Sequence, residues 1–320
     1  MNWFAFSWQN FWFAFLALVF EGVPFILLGS LISGVIAAFI PARLITGMLP
    51  KSRFAAILVS GLLGVIFPVC DCGIVPIVRR MLKKGLPLSC GVTYMLASPI
   101  VNPLVIFSTV VAFQGQGPLL NTGLRVGLGY FIAVMIGLIV GSLQSGSILR
   151  RGLVTPCAAH RPSIKIAALP DATSDPHGVH FAQKILDAIR MATDDFLGTT
   201  LYFMVGAAVA ATFNTAVNQH LILPLASHSA LSIMAMMTLS GILTLCSTSD
   251  AFIAATFVTF PSVSRMAFLI SGPMFDLKLI FLYSALFKKR FVIALGVGLF
   301  LSVGVICGII VREIYASQGF

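Results

Sequence analysis

The segment Phe67–Pro68–Val69–Cys70–Asp71–Cys72–Gly73–Ile74–Val75–Pro76 constrains this chain more than any other. It interrupts an apolar run that begins at Phe54, and it cannot continue as a membrane helix. Proline removes a backbone donor, and glycine loosens the turn. An Asp at bilayer depth costs several kcal/mol unless it faces a cavity or a partner. A carboxylate held between two thiols at such a break is therefore a candidate binding element.

The surroundings must be a membrane. The chain is 58% apolar and only 9% charged, whereas soluble domains carry about 25% charged residues. Its apolar runs are long enough to span, and no alternating strand pattern is present, so the spans are expected to be helical and to contact lipid. The net charge of +10 is carried by short basic clusters between apolar runs. That pattern reads as topology rather than nucleic-acid binding. No basic n-region with a small-residue cleavage site opens the sequence, so no removable signal peptide is expected. Six cysteines, mostly in apolar segments, do not resemble a secreted disulfide framework. A multi-pass protein of a bacterial inner (plasma) membrane fits best.

Residues 3–19 are crowded with aromatics and read as an interfacial helix, with a true span as the alternative. Glu21–Gly22–Val23–Pro24 then opens a first span, and Glu21 and Asp195 are expected to cap helix starts at opposite membrane surfaces. Leu88–Phe113 is interrupted at Pro99–Ile100–Val101–Asn102–Pro103, and Leu119–Leu143 carries no comparable break. Beyond a polar stretch, the second half is broken at Cys246–Ser247–Thr248–Ser249–Asp250 and at Gly272–Pro273–Met274–Phe275–Asp276. The halves repeat: Glu21 and Asp195 are offset by 174, Cys70 and Cys246 by 176, and Pro99–x–x–Asn102 and Pro273–x–x–Asp276 by 174. This divides the chain into a first repeat (1–143), a basic cytoplasmic linker (144–193) and a second repeat (194–320).

Charge orients the repeats. If both Cys-bearing breaks are tips of re-entrant hairpins, sixteen of the twenty Lys and Arg fall on the linker side. Arg125, Arg265 and Arg312 fall on the other, and Lys278 lies within a span. The expected fold is an all-α integral membrane protein of two inverted repeats. Each has three spanning helices plus a re-entrant hairpin, with helices broken at mid-membrane, as in many secondary transporters.

Cys70 and Cys72 can chelate a soft centre such as trivalent arsenic or a d10 metal once deprotonated. Cys90 and Cys246 would add sulfur if packing allowed, and Asn102 would line the path. Asp71, Asp250 and Asp276 are the deepest acids, suited to carry protons or to balance substrate charge, unless they form ion pairs; Lys278 lies close to Asp276 in sequence. In the linker, Cys157–x–x–His160 and His177–x–x–His180 have zinc-like spacing, although any polar segment collects histidines. No P-loop and no recognisable catalytic domain is present, so neither an enzyme nor a resident cofactor is expected.

The runs Phe67–Arg80 and Ala97–Pro103, with Leu245–Phe252 and Gly272–Lys278 in the second half, resemble the predicted-permease family that contains the ArsP organoarsenical exporters and the YraQ-type permeases. The resemblance covers most of the chain except the linker. It implies a multi-span inner-membrane permease, with Cys70 and Cys72 in the family's Cys–acid–Cys–Gly motif. Glu is common between those thiols, and the Asp here shortens that side chain. Some members export trivalent organoarsenicals, and some are thought to work with a second membrane protein. The expectation is export of a small thiophilic solute, with protons as the coupling ion. The rival readings are a membrane dithiol/disulfide redox protein and a non-transporting subunit.

Overall fold

A computed structural model of the protein describes residues 7–50, 52–143, 179–216 and 229–318. Regular structure among these residues is helical. Five helical stretches are long and apolar enough to cross a membrane: Trp8–Phe39, Pro118–Ser142, Lys184–Thr215, Ser262–Ser284 and Lys289–Tyr315.

In chain order the first part comprises α1 (Trp8–Phe39), α2 (Ala42–Met48), α3 (Arg53–Ile66), α4 (Ile74–Lys83), α5 (Leu88–Ala97), α6 (Pro103–Ala112) and α7 (Pro118–Ser142). The second comprises α8 (Val179–Ala216), α9 (Ser229–Leu243), α10 (Ser249–Thr256), α11 (Ser262–Met274), α12 (Leu277–Ser284), α13 (Lys289–Ile306) and, after a π-turn at Cys307–Val311, α14 (Arg312–Gln318). All four expected breaks are present. The Cys70–Cys72 segment separates α3 from α4, Ser98–Asn102 separates α5 from α6, Thr244–Thr248 separates α9 from α10, and Phe275–Asp276 separates α11 from α12.

Two sequence expectations are corrected. Residues 8–19 are not a separate interfacial helix but the first turns of α1, which continues through Glu21 and Pro24 without a stop. In hydrocarbon the chain has no water to satisfy freed backbone groups, so a single Pro is absorbed within a helix rather than ending it. Asp195 likewise lies inside α8 and caps nothing.

Neighbour relations give the direction of each helix. α1 and α8 are antiparallel: Gly22 lies against Phe203, and Gly34 against Ala188 and Ala192. α4 runs alongside α1 in the same sense. Gly73 touches the backbone of Phe25 and Gly29, Ser33 donates to the Pro76 carbonyl at 3.2 Å, and Lys84 donates to the Ile36 and Ala37 carbonyls, both at 2.8 Å. α3 and α5 also run side by side in one sense, with Gly61 against Thr93 and Gly64 against Ser98. α9 and α11 do the same, through Ser232–Ser264 at 2.8 Å and Ser240 to the Phe268 carbonyl at 3.2 Å.

The interior is built from the broken helices. Every residue of α5 is buried, as is most of α11. The long helices turn large apolar side chains outward, among them Phe20, Leu119, Leu201 and Ile293, as a lipid-facing surface requires.

Candidate functional site

The loop between α3 and α4 bears Cys70, Asp71 and Cys72, all buried, with one ligand atom from each lying within 4.8 Å of the others. The Cys72 thiol points at Asp71 Oδ2, 3.9 Å away. Beside this cluster the backbone of α1 comes in against Gly73, where a Cβ at either Gly29 or Gly73 would meet the other segment's backbone. Glycine at both positions lets the loop reach the depth of residues 25–29.

Lys278, in the first turn of α12, meets this loop. Its Nζ lies 3.1 Å from Asp71 Oδ2 and 3.4 Å from Asp276 Oδ2. It also donates to the carbonyls of Thr244 and Leu245, each at 3.2 Å. Asp276 is the N-cap of α12, its Oδ1 accepting the Leu279 N–H at 2.7 Å. Asn102, in the matching Pro-x-x-Asn pattern, caps α6 in the same way through Leu104 N–H at 3.0 Å. Both Pro-x-x-Asn/Asp segments thus start a half-helix inside the protein, the polar side chain satisfying an orphan amide.

Cys70, Asp71, Cys72, Cys246 and Lys278 share the wall of one small cavity. Glu21 of α1 lines it as well, with Phe25 and Phe203 as apolar walls. Asp71 Oδ1 is buried, with no hydrogen-bond partner among the described residues. Chemically, the cavity offers three thiols, two carboxylates and one ammonium behind apolar walls.

Asp250 belongs to a different cluster. Arg125, fully buried in α7, donates to Asp250 Oδ1 and Oδ2 at 2.8 and 2.9 Å, to the Ser247 carbonyl at 2.9 Å and to the Thr109 hydroxyl at 2.7 Å. Cys90 sits in α5 beside the Ser60 and Ser89 hydroxyls, and neither it nor Asn102 is among the cavity walls. Cys157, His160 and His177 lie outside the described residues, as does the side chain of His180, whose backbone is in the first turn of α8.

A family model described as a predicted permease, ArsP_1, matches residues 7–313. The chain belongs to this predicted-permease family. The resemblance carried by the Cys70–Gly73 and Ala97–Pro103 motifs is thereby borne out over nearly the whole chain. Among relatives, it is 38% identical over 88% of its length to the UPF0718 protein YcgR of Bacillus subtilis, covering 90% of that protein. It is 33% identical over 87% of its length, and of the relative's, to a protein of Streptococcus mutans named a putative two-component membrane permease complex subunit. No solved structure matches the chain. Family membership and the apolar helices make it a multi-pass membrane permease.

Sequence reasoning missed two ion-pair clusters in this permease. Arg125 is counted above as a basic residue outside the membrane, but it is the buried counter-ion of Asp250. Its position several residues inside the Leu119–Leu143 run was the available signal. Arg79 and Arg80 are read as topology residues, yet they meet Asp195 of α8 at 3.7 and 2.6 Å, and the Ser33 hydroxyl joins the same carboxylate at 2.8 Å. Their spacing along α4 held no hint of a partner on α8. Asp195→Asn is expected to lower stability by about 1.5–3 kcal/mol, the worth of a hydrogen bond to a charged group. Thermal unfolding in detergent measures it.

Proposed function

We propose that this chain is a secondary-transporter-type permease of the bacterial inner membrane that exports a small thiophilic solute, such as a trivalent organoarsenical. The observation that carries this reading is the Cys70–Asp71–Cys72 cluster on a cavity that Cys246 and Lys278 also line. Two thiols at that separation replace the two hydroxyls of an arsenical R–As(OH)2, forming two As–S bonds and releasing two waters, with no change in oxidation state. Exchange with water or another thiol reverses the step, as transport requires. Cys70, Cys72 and Cys246 would bind the solute, and Asp71, Asp276 and Glu21 would carry protons or balance its charge.

The architecture we assign is two inverted repeats, 1–143 and 194–320, joined by the linker 144–193. Helix directions support it. Because α3 and α5 run in parallel, the intervening α4 must return to the side where α3 began; α9, α10 and α11 repeat the arrangement from the other side. Each repeat then contributes a re-entrant tip, and rocking one repeat against the other would open the cavity alternately to the two faces. The name of the Streptococcus mutans relative favours a second reading, in which the chain is the membrane subunit of a two-component complex. Co-purification with a second membrane protein from native membranes would support that reading.

The Cys70→Ser/Cys72→Ser double variant tests the thiol site. Loss of even an outer-shell partner weakens metal sites about 10–100-fold, so removal of both sulfurs is expected to lower uptake of phenylarsenite into inverted vesicles by at least that factor. Unchanged uptake, with protein levels equal, would remove the thiol mechanism.

A further inference from the structure

The surroundings of Lys278 have the composition of a cation site. Four oxygens face its Nζ: Asp71 Oδ2 at 3.1 Å, Asp276 Oδ2 at 3.4 Å, and the Thr244 and Leu245 carbonyls at 3.2 Å. They come from three separate segments: the loop after α3, the unwound stretch after α9 and the start of α12. An ammonium has three protons to donate, so four acceptors already exceed what it can satisfy. Two carboxyl groups share that one ammonium. Asp71 Oδ1, on a side chain only 1% exposed, has no hydrogen-bond partner among the described residues.

The backbone is arranged for the same purpose. Thr244 has φ of +49°, a left-handed conformation that a β-branched residue rarely adopts. It ends α9 and turns two successive carbonyls toward the ammonium. The negative end of the α9 dipole adds to the attraction for a cation. Freed carbonyls at the end of a broken helix, joined by carboxylates, are how membrane transporters hold monovalent coupling ions.

We propose that Lys278 is a tethered coupling cation: its ammonium fills an oxygen cage that a free potassium, sodium or ammonium ion would occupy if the side chain were removed. The inference stands on the geometry of the cage and not on the identity of the transported solute. Its consequence is that the permease carries its own counter-cation for Asp71, fixed to α12. It therefore needs no alkali ion to keep the two buried carboxylates paired.

The test is thermal unfolding of the purified full-length protein in potassium, sodium and choline chloride at equal ionic strength, choline being too bulky for the cage. The wild-type midpoint is expected to be the same in all three. Lys278→Ala opens the cage, so its midpoint is expected to fall in choline and to recover saturably in potassium or sodium. At about a hundredfold excess of ion over Kd the recovery is roughly 5 °C. Lys278→Met keeps the apolar stem in place and is expected to fall without recovery. The inference is overturned if Lys278→Ala behaves alike in the three salts, aggregation in all of them included. It is also overturned if the wild type or Lys278→Met responds to the ions as strongly.

Discussion

Arg125→Leu is expected to destabilise the protein by about 3–5 kcal/mol, the cost of leaving a buried charge without its partner. Arg125 is completely buried and Asp250 is 2% exposed, so no water can take over when the guanidinium is removed. The Asp250 carboxylate would lose both of its Arg125 hydrogen bonds, and the Ser247 carbonyl and Thr109 hydroxyl one each. The penalty belongs to the orphaned carboxylate more than to the lost attraction. The double variant Arg125→Leu/Asp250→Leu is therefore expected to regain most of it, since an apolar pair of similar volume is often neutral relative to a buried ion pair. A double-mutant cycle on detergent-solubilised protein reads the coupling directly. A single-variant cost under about 1 kcal/mol would mean that Asp250 finds water or another donor, contrary to the burial argument.

Gly29→Val is expected to cost more than the roughly 1–3 kcal/mol typical of an overpacked core, and to disable the thiol cluster at the same time. A Cβ at Gly29 would run into the Gly73 carbonyl, and backbone cannot rotate away as a side chain can. To relieve the clash, α1 must move off the α3–α4 loop, and Cys72, next to Gly73, moves with that loop. Stability and solute binding should therefore fall together. Gly127, in α7, has open space around it and serves as the comparison. Gly127→Ala is expected to be neutral or stabilising by up to about 1 kcal/mol through helix propensity alone. Paired measurements of unfolding midpoint and thiol labelling with a membrane-permeant maleimide test the idea. Normal labelling and normal stability in Gly29→Val would show that the close approach is not required.

Much of the broken-helix plan could be read before any coordinates. Pro99–x–x–Asn102 and Pro273–x–x–Asp276 announce interrupted helices because a proline and a capping side chain act within one turn of chain, and the structure has a half-helix starting at each. Pro24 carries the same local signal and misleads. Its neighbours on both sides are apolar enough to keep one helix running, a decision made by the solvent and not by the residue. The site was legible in part. Asp71 and Asp276 meet at Lys278, and Cys246 reaches the cavity of Cys70 and Cys72, a matter the sequence left to packing, whereas Asp250 is taken up by Arg125, and Asn102 by its own helix start. Nothing in the spacing of Arg80 along α4 could reveal that Asp195 waits on α8.

The amino-acid order alone determined that the chain is helical, that it lies in lipid and where four of its helices break, at Cys70–Cys72, Pro99–Asn102, Cys246–Asp250 and Pro273–Asp276. Hydrocarbon leaves the backbone no partner but itself, so apolar length and local breakers suffice to settle those points. Which charge meets which was decided only in three dimensions. Lys278 reaches Asp71, and Arg125 reaches Asp250, from distant parts of the sequence. A buried ion chooses its counter-ion by helix packing: the loop that bears Asp71 lies against α1 at Gly73, and Lys278 lies against α8 at Gly206.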